Sequence, residues 1–123
     1  MENAVIEKRL TNYYDAFNAK KWNDVEEFLS DDFSYFTDNC TVHNKSSFMS
    51  FMRSDDWQGI DFRLEELEIK MSASNDLAFA TYSTQFEGTS GETKMKFQAI
   101  ETIVFKLEEG EWKILHFHTS NKN

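Results

Sequence analysis

The stretch 92–120, ETKMKFQAIETIVFKLEEGEWKILHFHTS, decides the fold. Ile103, Phe105 and Leu107 recur at every second residue, and Trp112 and Ile114 resume that spacing after Glu109-Gly110. A period of two carried by β-branched and aromatic side chains is the pattern of strands, not helices. A loop of two or four residues around Glu109-Gly110 joins the two runs as an antiparallel hairpin. The same reading extends backward and predicts four long strands over 60–71, 77–87, 92–107 and 111–120. Their separators, Ser74-Asn75-Asp76, Gly88-Thr89-Ser90-Gly91 and Glu108-Glu109-Gly110, have turn chemistry.

Further toward the N-terminus the period changes. Ile6, Leu10, Tyr13, Tyr14 and Phe17 recur at spacings of three and four, one apolar stripe of a helix over 2–19. Trp22, Val25, Phe28 and Leu29 predict a short second helix over 22–29, with Asn23 as its N-cap and Glu26 in the capping-box position, ending at Asp31-Asp32. A short strand is expected over 33–37 and a third helix over 46–53, where Phe48, Met49, Phe51 and Met52 cluster, followed by a break at Asp55, Asp56 and Gly59. The order predicts one α+β domain over residues 1–123, with three N-terminal helices on one face of a curved antiparallel sheet.

Strand polarity and register carry functional expectations. Val104 opposes Ile103 and Phe105, and Leu115 and Phe117 oppose Trp112 and Ile114, so both sheet faces are apolar. A sheet with one wet face alternates more cleanly, so a homodimer or larger assembly is expected. With unbroken alternation Glu101 lies opposite His118 on one face, close enough for a carboxylate to orient an imidazole as general base. The alternative is a structural pair at the sheet end. His116 and His118 form an H-x-H pair that lacks a third ligand in register, since His43 is the only other histidine, and no metal is expected. Tyr13, Tyr35 and Tyr82 are either plain core or the polar tips of an apolar cavity.

Composition narrows the function classes. The 123 residues carry 22 acids against 13 Lys and Arg, a net charge of −9 that disfavours nucleic acid. No apolar run is long enough to span a membrane. Cys40 is the one cysteine, so no internal disulfide forms and the cytoplasm is the expected compartment. The triplets at Asn39 and Asn44 match the glycosylation pattern by chance on that reading. Phosphate loops, dinucleotide fingerprints and zinc spacings are absent, and no cofactor is expected.

The succession of elements resembles the NTF2-like superfamily, a cone-shaped α+β fold that includes ketosteroid isomerase, polyketide cyclases of the SnoaL type and the association (hub) domain of calmodulin-dependent protein kinase II. The run Glu101-Thr102-Ile103-Val104-Phe105, followed by Gly110-Glu111-Trp112-Lys113-Ile114-Leu115-His116-Phe117-His118-Thr119-Ser120, is similar to the hub-domain pattern. Tyr13-Tyr14-Asp15-Ala16-Phe17-Asn18-Ala19 and Phe28-Leu29-Ser30-Asp31-Asp32 are similar to the isomerase. Pocket arginines of the hub domain correspond to Ile103 and lie near Ser83, which argues against a carboxylate ligand. The resemblance puts Tyr13 on the isomerase's oxyanion-binding tyrosine and Thr37 on its catalytic aspartate, with Asp38 one position off, so that activity is not expected.

The resulting expectation is a domain that binds a small apolar or weakly polar molecule in its cone, lined by Tyr13, Tyr35, Tyr82, Ile103, His116 and His118. The alternatives are a cofactor-free isomerase, cyclase or dehydratase using Glu101, His118 and Tyr13, and an oligomerisation module without catalysis.

Overall fold

A computed structural model describes residues 2–37, 40–54 and 57–122. The elements are α1 (Glu2–Asn18), α2 (Trp22–Phe28), β1 (Leu29–Phe36), β2 (Val42–Asn44), α3 (Lys45–Ser54), β3 (Trp57–Met71), β4 (Leu77–Ser90), β5 (Thr93–Glu108) and β6 (Glu111–Lys122). Six strands form one open, curved sheet in the order β2-β1-β6-β5-β4-β3. All neighbours are antiparallel except β1 and β6, which run parallel. That pairing and the three-residue β2 depend on contacts between distant segments, which the alternation within each strand does not reveal. Asp38, Asp55 and Asp56 lie outside the described residues, as does Asn39.

The helices sit where their apolar stripes demand. Ile6, Leu10, Tyr13 and Tyr14 of α1 are buried against the inner sheet face, which contributes Ala80, Tyr82, Ile103, Phe105, Ile114 and Phe117. Arg9 ties this layer together: its Nε and Nη2 donate to the Trp112 carbonyl at 3.1 and 2.7 Å, and its guanidinium lies 4.3 Å from the Phe28 ring centre.

Two helix starts differ in instructive ways. The expected cap of α2 by Asn23 does not form; Lys21 holds the N-cap position without a side-chain bond. Instead Arg53 of α3 donates to Asn23 Oδ1 at 3.3 Å and to Glu26 Oε1 at 2.8 Å, so an interhelix tie has taken both residues of the expected box. At α3 a reciprocal cap does form, with Ser47 N donating to Asn44 Oδ1 at 2.8 Å and Asn44 N to Ser47 Oγ at 3.0 Å.

The β4–β5 hairpin runs without interruption from Leu77 opposite Lys106 to Ser90 opposite Thr93. Ala99, Glu101, Ile103 and Phe105 therefore all face inward. At the next hairpin, Glu109 (φ 50°) and Gly110 (φ 83°) form a two-residue loop with both residues left-handed, the conformation whose twist suits a tight hairpin. Beyond it the alternation breaks. Phe105 pairs with Ile114 but Val104 pairs with His116, leaving Leu115 as an extra residue in β6. This bulge reverses the parity of everything that follows. Trp112, Ile114, Phe117 and Thr119 are buried inside, and His118 is exposed on the other face.

Candidate functional site

The bulge overturns the expected dyad. Glu101 pairs with Thr119, and His118 pairs with Thr102, so the carboxylate and the imidazole lie on opposite sheet faces. Strict alternation would have buried two imidazoles and exposed Phe117. One unpaired backbone residue in β6 avoids burying those polar rings.

On the inner face the helices and the open end of the sheet form a half-open cavity of about 430 Å³. Tyr13, Phe17, Tyr35, Phe86 and Phe117 supply ring walls, with Met52, Met95 and Phe97 among the other lining residues. These rings brace one another edge to face: Tyr35 and Phe117 have centroids 5.4 Å apart, Tyr13 and Tyr14 5.2 Å, and Tyr35 and Phe48 5.1 Å.

Glu101 also lines the cavity, 5% exposed and flanked by Tyr82 on β4 and Thr119 on β6. Thr119 Oγ1 donates to Glu101 Oε2 at 2.9 Å, and the Tyr14 hydroxyl donates to Oε1. Tyr82 and Tyr14 hydroxyls are 3.0 Å apart. The Tyr14 proton is committed to ionised Glu101, and Tyr82 has one proton to share between Tyr14 and the carboxylate, so the hydroxyl partners of Glu101 come from α1, β4 and β6. Burial, and then the nearby Glu101, push the Tyr13, Tyr14 and Tyr82 phenols well above 10, so all three remain donors at neutral pH. Burial raises Glu101 to about 7, against the pull of its hydrogen bonds from Tyr14, Thr119 and Tyr82.

The sequence candidates therefore divide. Tyr13 and Tyr35 line the cavity, and Tyr82 supports it through Tyr14. Ile103 is wholly buried in the core and does not line the cavity. His116 and His118 belong to the outer face: Ser34 Oγ lies 2.8 Å from His116 Nδ1, and the Phe36 ring stands edge to face with His116 at 4.8 Å. Burial and then the neighbouring His118 lower the His116 pKa. His43 lies 3.2 Å from Ser47 Oγ and stacks on Tyr35. Among the described residues no three His, Cys, Asp or Glu side chains gather as a metal site. Tyr14 and Thr119 are the partners that strand and helix reading missed. Tyr14 was legible as a stripe residue, but its bond to Glu101 depends on how α1 lies across the sheet.

The raised Glu101 pKa has a definite consequence for stability. The folded state holds this proton more tightly than the unfolded chain, so the group's contribution is complete below about 4.5 and is lost as pH rises to about 7. The loss amounts to about 3 kcal/mol at most. Glu101→Gln removes this contribution to the slope, so its stability relative to wild type should climb between pH 4.5 and 8 in urea unfolding. Parallel pH profiles for the two proteins would sink the assignment.

Comparison with known proteins agrees with this architecture. The SnoaL-like domain profile matches residues 6–122. An NTF2-like protein from Cytophaga hutchinsonii superposes with a TM-score of 0.90 at 16% identity, covering 99% of each chain. A ketosteroid isomerase-like protein from Erwinia carotovora atroseptica gives 0.81 at 20% identity, covering 98% of this chain and 95% of that one. The association domain of CaMKII from C. elegans gives 0.79 at 14% identity, over 96% and 94%. No curated protein sequence matches. With a cone of three helices on a curved, open sheet and a profile match along nearly its whole length, the chain belongs to the SnoaL-like domain family.

Proposed function

We propose that this domain binds a small, largely apolar molecule bearing one polar group in the cavity of its cone. The observation that carries this reading is the combination of a 430 Å³ apolar space with a single carboxyl, Glu101, fixed at its wall by Tyr14 and Thr119. That volume lies in the range of small-molecule sites, and few polar groups among many apolar ones is their usual composition. The ring walls supply contact area, and the oriented carboxyl supplies selectivity.

The same group supports a second reading, cofactor-independent proton transfer of the isomerase, cyclase or dehydratase kind. A carboxyl near 7 is suited to gaining and losing a proton at neutral pH. Such chemistry would use Glu101 with Tyr14 as the adjacent donor, without His118.

Assembly is a separate property supported by the outer face. Ile100 is 64% exposed, and Phe36, Leu77 and Phe79 are about 40% exposed. Phe79, Val104 and His116 follow one another across β4, β5 and β6, and His118 neighbours Phe36. Two copies of a chain with net charge −9 meet with least repulsion through this apolar, histidine-bearing face.

Two measurements check these readings. 4-Phenylbutanol should shift the Met52 and Met95 methyl resonances, and Met95→Trp, which puts a larger side chain into the cavity wall, should weaken binding at least about tenfold. Shifts confined to the outer face, or none, would contradict the cavity reading. Light scattering after gel filtration should give twice 14.5 kDa for wild type. Ile100→Glu should give the monomer; a monomeric wild type would contradict assembly.

A further inference from the structure

The cavity has a charge asymmetry that its size alone does not require. Among its described lining residues Glu101 is the one carboxylate, and none is Lys, Arg or His. Its immediate partners are Tyr14, Thr119 and Tyr82, all hydroxyls, so among the described residues no cation facing it neutralises its charge. An acid buried without a cation is costly when ionised, and the cost disappears when a cation arrives with a ligand. Around it the walls are aromatic rings, whose negative faces attract cations.

We propose that the cavity is specific for hydrophobic amines, with an ammonium group seated on Glu101 and an aryl or alkyl body against the rings of Tyr13, Tyr35, Phe86 and Phe117. This deepens the small-molecule reading above and rests on it. The ammonium donates to a Glu101 oxygen while Tyr14 and Thr119 retain their bonds to the carboxylate. The ring faces replace part of the water that the cation loses on entry. An anion of the same shape meets an acid and no positive charge, and a neutral alcohol gains a hydrogen bond without an ion pair. The protein's net charge of −9 favours the approach of the same class of ligand.

The pH dependence follows from the groups that face Glu101. Tyr13 and Tyr14 from α1 and Tyr82 from β4 hold their protons well above pH 8, and Thr119 from β6 does not titrate, so among the described residues facing it Glu101 is the group that changes charge between pH 6 and 8. An alkylammonium, with a pKa close to that of lysine at about 10.4, stays charged across this range. Amine affinity therefore rises by about tenfold from pH 6 to pH 8 as Glu101 ionises. A neutral ligand that accepts a hydrogen bond from protonated Glu101 shows the opposite trend.

Three probes of one skeleton test this by calorimetry: 4-phenylbutylamine, 4-phenylbutanol and 4-phenylbutyrate, at pH 6 and 8, with wild type and Glu101→Gln. The expected result at pH 8 is that the amine binds wild type at least about tenfold more tightly than the alcohol, with the carboxylate weakest. Glu101→Gln should remove the amine's advantage over the alcohol and its pH dependence. Circular dichroism and a cooperative urea transition show whether the variant is folded. If that variant fails to fold, the rise in amine affinity between pH 6 and 8 in wild type carries the test alone. Equal binding of amine and alcohol to wild type at pH 8, or an amine affinity that falls as pH rises, overturns the amine proposal and leaves the cavity reading intact. Failure of all three probes to bind overturns both.

Discussion

A single extra residue in β6 sets the chemistry of this domain. Because Leu115 is left unpaired between the Phe105–Ile114 and Val104–His116 positions, the strand beyond it is reversed side to side. Phe117 and Thr119 then face the helices, and the two histidines face away from them. Thr119 becomes a donor to Glu101, Phe117 becomes a cavity wall against Tyr35, and the outer face gains polar rings among its exposed apolar side chains. Every functional property described for the inner and outer faces depends on that parity.

The bonds around Glu101 show why a buried acid is tolerated in this core. Tyr14 comes from α1, Tyr82 from β4 and Thr119 from β6, so the carboxyl joins three separate elements around β5. These bonds favour the ionised form, and burial opposes them more strongly. The balance leaves a group that changes charge near neutrality, in a space otherwise walled by aromatic rings.

Much of the fold was legible in the chain because its signals are local. The stripe from Ile6 to Phe17, the alternation in β5 and the Glu109-Gly110 turn each specify their own element, and the helical and strand segments lie close to where those signals place them. The site was only partly legible because its geometry depends on relations between segments. Tyr13, Tyr35 and Glu101, candidates on residue type and spacing, line the cavity; His118, which strict alternation would place there, does not. No turn residue marks the bulge at Leu115. Its physical signal lies in the energetics of the whole strand, since burying Phe117 and Thr119 costs less than burying His116 and His118. Asn23 failed as a cap for a similar reason: Arg53, thirty residues away, competes for its side chain.

The central claim is that Glu101 is a buried carboxyl with hydroxyl partners and, among the described residues, no positive charge beside it. Its most direct test is the titration of the Glu101 side-chain carboxyl carbon by NMR in the ligand-free protein, assigned by its loss in Glu101→Gln. The structure predicts a midpoint of about 7. A midpoint near the ordinary glutamate value of about 4.3 would place the group in water or beside a cation and contradict the account.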